Sequence, residues 1–271
     1  MPEGDTLRRT ADGLAPFLVG RQVSAARVRP GGPQVQRVVG ATVDAVEAQG
    51  KNLLIRFDNG LELRTHLRMN GSWHRYRPGE RWRRPPSRAR LVLEVPGAVA
   101  VCFDAPVVEL FDARAAAIHP TLSRLGPDLL DDAWGPDQAE EARRRLRDPA
   151  RSAATVSEAL LDQRALAGIG NIWRNETLFA ERVNPFAHLA DLDDATLDRL
   201  VARAHELLTR SVATPGRVPM GVYRRAGRPC RRCGTLIRSA PLATGIPRTT
   251  YWCPACQPGR GGDDGGDRRP L

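Results

Sequence analysis

Lysine is what this sequence nearly lacks. Of 41 basic side chains in 271 residues, Lys51 is the one lysine; all the others are arginine. A chain so rich in Arg, Ala, Gly and Pro reflects biased codon usage, so the arginines by themselves mark no chemistry. A lysine differs in kind, because its compact ammonium can exchange a proton near neutral pH when its surroundings shift it, and a guanidinium does not. Long apolar runs are also missing, and none approaches the length of a membrane span. The opening Met1-Pro2-Glu3-Gly4-Asp5-Thr6 has neither the basic nor the apolar segment of a signal peptide. A cytoplasmic chain with no membrane partner is therefore expected. Acidic residues fall short as well, 31 against 41 basic, which leaves a net charge of +10. That balance suits a polyanionic partner, nucleic acid first and an acidic membrane surface second.

Cysteine is scarce but placed with a pattern. Four of the five cysteines form two pairs, Cys230-Arg231-Arg232-Cys233 and Cys253-Pro254-Ala255-Cys256, nineteen residues apart. Two such knuckles joined by a hairpin are the spacing of a closed, four-thiolate structural zinc site. Two disulfides would need an oxidising compartment, to which nothing in the sequence points. One structural zinc and no organic cofactor are expected. Cys102, left over in a strand-like run, reads as a small buried hydrophobe.

Periodicity divides the rest. A helical stripe from residue 5 to about 18 ends at Gly20, with Pro16 implying a kink or an early end. Short runs follow at Val23 to Val28, Val43 to Val46 and Leu53 to Phe57. Asp58-Asn59-Gly60 then turns the chain into Leu61-Glu62-Leu63, and Pro96-Gly97 joins Leu91–Val95 to Val99–Phe103. Many short strands with Gly and Pro turns predict a β-sandwich or barrel to about residue 115. Helical patterns take over at 137–147, 155–163, 171–183 and 194–211, the last with Leu197, Leu200, Val201, Ala204, Leu207 and Leu208 on one face. The tail from Pro258 is expected to be disordered.

Four stretches then combine: Met1-Pro2-Glu3-Gly4, Gln49-Gly50-Lys51-Asn52-Leu53-Leu54, Leu166-Ala167-Gly168-Ile169-Gly170-Asn171-Ile172-Trp173 and Pro247-Arg248-Thr249-Thr250-Tyr251-Trp252-Cys253. In this order they resemble the formamidopyrimidine-DNA glycosylase/endonuclease VIII family, from Pro2 to Gln257. The resemblance implies an α+β multidomain chain. Its parts are a catalytic β-sandwich with an N-terminal helix (1–118), a linker (119–135), a helix–two-turns–helix domain (136–225), a zinc-ribbon hairpin (226–257) and a tail (258–271). It implies a monomeric, bifunctional DNA glycosylase and abasic-site lyase of base excision repair, acting on damaged DNA.

The residues support such chemistry directly. Removal of Met1 would expose the secondary amine of Pro2, neutral in a usable fraction at pH 7. Attack on a sugar's anomeric carbon gives an iminium with no N–H to lose, which persists as an electron sink. Glu3 can protonate the sugar ring oxygen, and Lys51 can hold a phosphate and depress the proline amine's pKa. In the family the matching residues are the nucleophile, the proton donor and the proton donor for β-elimination. Asn171, read either as a phosphate ligand or as an N-cap, lies at a helix N-terminus suited to an anion. Arg248 matches an arginine that binds the phosphates flanking the lesion and assists δ-elimination. Met69, beside Arg68, matches the wedge that fills the hole left by a flipped base. Arg124 matches an arginine that contacts DNA in endonuclease VIII.

Two departures bear on substrate. Thr6 stands where many members have Glu. The Asp-Pro-Arg-Arg-Phe-Gly stretch of formamidopyrimidine glycosylases is replaced by Asp104-Ala105-Pro106-Val107-Val108-Glu109. Oxidised pyrimidines and abasic sites are therefore expected ahead of 8-oxoguanine. A non-catalytic zinc-ribbon nucleic-acid binder, or a damage-binding relative, is the alternative.

Overall fold

The computed structural model describes residues 2–214, 216, 218–242 and 248–259. Met1, whose removal the expected chemistry would require, and residues 260–271 of the expected disordered tail lie outside the described residues. The chain divides into two compact units, Met1–Leu125 and Gly126–Leu271.

The first unit opens with helix α1 (Gly4–Leu18), whose Leu7, Ala11, Leu14 and Leu18 are buried at helical spacing. Pro16 does not end this helix early; α1 continues to Leu18 and Val19 N–H still reaches the carbonyl of Ala15. A proline so close to the C-terminus sacrifices a single hydrogen bond. Eight strands follow: β1 (Ala25–Val28), β2 (Val43–Gln49), β3 (Asn52–Phe57), β4 (Leu61–His66), β5 (Ser72–Tyr76), β6 (Ala89–Val95), β7 (Ala98–Phe103) and β8 (Val107–Asp112). They form two four-stranded antiparallel sheets, ordered β1-β6-β7-β5 and β2-β3-β4-β8. Leu91, Leu93, Ala100 and Cys102 of one sheet share a core with Leu53, Ile55, Leu61 and Leu63 of the other and with the apolar face of α1. Strand β7 is buried on both faces because its Val99, Val101 and Phe103 pack with Tyr76, Val92 and Trp82 on the far side. Cys102 is fully buried, and burial pushes its thiol pKa well up, so it serves as a hydrophobe.

The second unit holds helices α2 (Pro136–Leu146), α3 (Val156–Ala159), α4 (Asn171–Ala180) and α5 (Asp194–Ala213). Thr155 and Glu158 form a reciprocal capping box at the start of α3. Leu197, Leu200, Val201, Ala204 and Leu208 of α5 are buried in a core shared with α2, α3 and Trp173. The hairpin of β9 (Arg238–Pro241) and β10 (Thr249–Trp252) follows. Among the described residues, no helix is long and apolar enough to cross a membrane.

Candidate functional site

In the first unit, Glu3 is fully buried at the entry to α1, where its carbonyl accepts the N–H groups of Thr6 and Leu7 at 2.9 and 3.1 Å. Pro2, half-buried, precedes it. Lys51 sits in the tight connection between β2 and β3, which Gly50 makes possible with a φ of 57°. Strand pairing sets Asn52, its neighbour, opposite His66 at the end of β4. Burial, with Arg64, Lys51 and Arg68 close by, lowers the His66 imidazole pKa to about 4. His66 Nδ1 accepts the N–H of Arg68 at 3.1 Å, which leaves the neutral ring's proton on Nε2. The sequence reading did not single out His66; its signal was its place at the end of the strand that pairs with the lysine strand.

The Leu67–Gly71 connection between β4 and β5 is tight. Arg68 adopts a left-handed conformation at φ 46°, and a Cβ on Gly71 would lie 2.6 Å from the carbonyl oxygen of Leu67. Met69, 64% exposed, is carried at this turn. The connection from β7 to β8 holds only Asp104, Ala105 and Pro106. Hydrogen bonds from Arg88 and Arg84 hold the Asp104 carboxyl below its usual range and pin this corner, where φ is 53°. No arginine or phenylalanine projects from it. Arg124 is exposed at the end of a single 3₁₀ turn.

In the second unit α4 carries a row of polar side chains that a sequence would assign to a surface, yet Asn171, Arg174, Asn175, Glu176 and Thr177 are all buried. Gly170, not Asn171, is the N-cap residue, so the N-cap reading of Asn171 fails. The side chain turns instead toward the hairpin, where Nδ2 donates to the carbonyl of Thr249 at 3.1 Å. Arg174 donates to the same carbonyl and to Thr250 Oγ1. Asn175 Oδ1 accepts the Tyr251 N–H at 2.7 Å. Glu176 accepts the N–H groups of Gly221, Val222 and Tyr223 at 2.7, 3.0 and 2.8 Å. Arg232 lies over the Phe179 ring and donates to the carbonyls of Phe179 and Ala180 at the helix end. Gln257 bridges Cys253 N–H and the carbonyl of Val183. Arg248 stands beside the Asn171 anchor, half-buried, and its Nη1 has no acceptor among the described residues.

The four sulfur atoms of Cys230, Cys233, Cys253 and Cys256 lie within 4.8 Å of one another, with neighbouring pairs at 3.5 to 3.9 Å. A tetrahedral zinc with Zn–S bonds of 2.3 Å needs edges of about 3.8 Å, so the donor set fits that ion. The Arg232 N–H points at Cys230 Sγ, as at a metal-binding knuckle. Thr235 pulls the Cys233 thiol down to about 6 by hydrogen bonding.

The geometry has counterparts in known proteins. Residues 1–115 match the sequence profile of the formamidopyrimidine-DNA glycosylase N-terminal domain, and residues 125–219 that of the formamidopyrimidine-DNA glycosylase H2TH domain. The probable endonuclease 8 2 of Streptomyces coelicolor is 39% identical across 98% of this chain and 97% of its own length. The DNA-(apurinic or apyrimidinic site) lyase Nei2 of Mycolicibacterium smegmatis is 38% identical across 95% and 99%. Lactococcus lactis formamidopyrimidine DNA glycosylase, crystallised with abasic-site DNA, superposes with a TM-score of 0.80 over 95% of this chain and 100% of its own, at 20% identity. At that identity the likeness is one of fold.

Proposed function

Because the chain belongs to the formamidopyrimidine-DNA glycosylase/endonuclease VIII family, we propose that it is a bifunctional DNA glycosylase and abasic-site lyase of base excision repair. The observation that carries this reading is the near full-length match to endonuclease 8 relatives, which spans both units. With Met1 removed, the Pro2 amine attacks C1′ of the damaged nucleotide, the N-glycosidic bond breaks and the base leaves. Glu3 protonates the sugar ring oxygen as the ring opens. The iminium draws electrons when a proton leaves C2′, and the 3′ phosphate departs; a second elimination releases the 5′ phosphate. Lys51 serves the first elimination and Arg248 the second.

Asn171 and Arg248 grip DNA phosphates. The half-buried Arg248 guanidinium next to the Asn171–Thr249 bond supports this, because a guanidinium pairs with a phosphate through charge-assisted hydrogen bonds. The four cysteines would hold one zinc, which would supply a structural cross-link between the two knuckles. Met69 is the wedge and Arg68 flanks it; Arg124 adds a DNA contact. The three-residue Asp104–Pro106 corner, lacking the arginine and phenylalanine that meet an orphaned base, supports oxidised pyrimidines ahead of 8-oxoguanine. A monomer is the working state.

Borohydride trapping on an abasic duplex tests the reading. Protein verified to begin at Pro2 forms a covalent adduct, and protein with a blocked N-terminus forms none. An adduct from the blocked protein, or none from the free one, overturns the mechanism. Stronger trapping on 8-oxoguanine than on oxidised-pyrimidine duplexes overturns the substrate order.

A further inference from the structure

We infer that Arg64 is a positioning residue for Lys51: its buried guanidinium fixes the turn presenting the lysine, through Asn52 on one side and Glu109 with His119 on the other. The inference rests on the role proposed for Lys51.

The links are continuous. Asn52, 2% exposed, closes the Gln49–Asn52 connection by donating from Nδ2 to the Gln49 carbonyl at 3.0 Å. That bond spans Gly50 and Lys51. Asn52 has one amide oxygen left, and Arg64 Nε donates to it at 2.9 Å. The Arg64 side chain is 5% exposed, and its Nη1 pairs with Glu109 Oε2 at 2.5 Å. The same oxygen meets His119 Nε2 at 3.1 Å. His119 Nδ1 already accepts the N–H groups of Thr121 and Leu122, so in the neutral ring Nε2 is the donor to Glu109. The ring also lies against Phe111.

The chemistry explains why each member is needed. A guanidinium out of water is costly unless paired, and the planar fork reaches the amide and the carboxylate at once. Burial pushes the Glu109 carboxyl up, but Arg64 and His119 pull it further down, so the pair stays ionised. A lysine amine that must meet a phosphate and a sugar within a few tenths of an ångström depends on a connection that does not rock. Asn52 supplies that restraint only while Arg64 holds its amide in one orientation.

Single-turnover strand scission on an abasic duplex, in a double-mutant cycle, separates this role from ordinary sheet stability. Wild type, Arg64→Met, Lys51→Ala and the double variant are compared. Arg64→Met is expected to slow scission at least tenfold, and to slow it no more than about twofold further in the Lys51→Ala background. Asn52→Asp, which keeps the acceptor for Arg64 and loses the donor to Gln49, gives the same non-additive pattern and serves if Arg64→Met fails to fold. A wild-type rate in both variants, or a full loss added on top of Lys51→Ala, overturns the inference alone. A wild-type rate in Lys51→Ala overturns the proposed role of Lys51 and this inference with it.

Discussion

Asn171 Nδ2 donates to the Thr249 carbonyl at 3.1 Å, joining the first residue of α4 to the first residue of β10. Asn171 is thereby tied to the residue next to Arg248, so two phosphate ligands proposed from separate parts of the sequence come together. Arg248→Ala is expected to lower affinity for abasic DNA about tenfold at moderate salt. It should also reduce the slope of log affinity against log salt by about one, the signature of one lost phosphate contact. Asn171→Ala weakens binding with less change in slope, since it removes a neutral donor and loosens the arginine. Fluorescence anisotropy across a salt series distinguishes the two.

Zinc should act on binding rather than on the nucleophile. Metal analysis is expected to find one zinc per chain, and Cys253→Ser to lose it. Phe179, Val222, Ile237, Cys230 and Cys253 share only a small apolar cluster, so a thiolate-bound metal would add much of the order of this segment. DNA affinity and scission fall at least tenfold, while trapping at saturating abasic DNA survives. Loss of trapping under saturation would place the metal closer to the chemistry than its thiolate shell allows.

Met69→Ala separates lesion capture from folding. The side chain is 64% exposed, so the melting temperature should stay within the range of a neutral surface change. Base release from an oxidised-pyrimidine duplex is expected to slow several-fold or more, because an unfilled gap lets the flipped base return. Scission of a preformed abasic site should suffer less. Equal losses on both substrates would sink the wedge assignment.

His66 gives a pH dependence with a definite sign. Unfolded, its imidazole titrates near 6.5; folded, near 4. Between those values the unfolded chain binds a proton that the folded chain does not. Its stabilising contribution is thus complete above 6.5 and is lost as pH falls through that window to about 4. Partial solvent access caps the effect below about 3 kcal/mol. His66→Asn should flatten the wild-type decline in urea midpoint between pH 6.5 and 4; an unchanged decline would reject it.

The sequence made some features plain and hid others, for physical reasons. Asp58-Asn59-Gly60 announced its hairpin because Gly60 needs a positive φ, here 79°. The amphipathic run of α5 and the cysteine spacing are equally local signals. Strand β8 escaped notice because Glu109 and Asp112 interrupt its apolar residues, and Glu109 is satisfied by Arg64, 45 positions earlier. The polar face of α4 was illegible for the same reason. Asn175 finds its partner 76 residues downstream at Tyr251, and no local pattern encodes such a pairing.

The bonds between α4 and the hairpin have a further property. Asn171, Arg174 and Asn175 reach mostly main-chain atoms of Thr249 and Tyr251, and Glu176 takes three successive amides of the preceding segment. The helix thus recognises the path of the hairpin's backbone more than the identity of its side chains. Side chains on the outward surface of this ribbon can therefore change without disturbing its seat. The constraint falls on α4, where a single altered polar residue would cost the ribbon its footing.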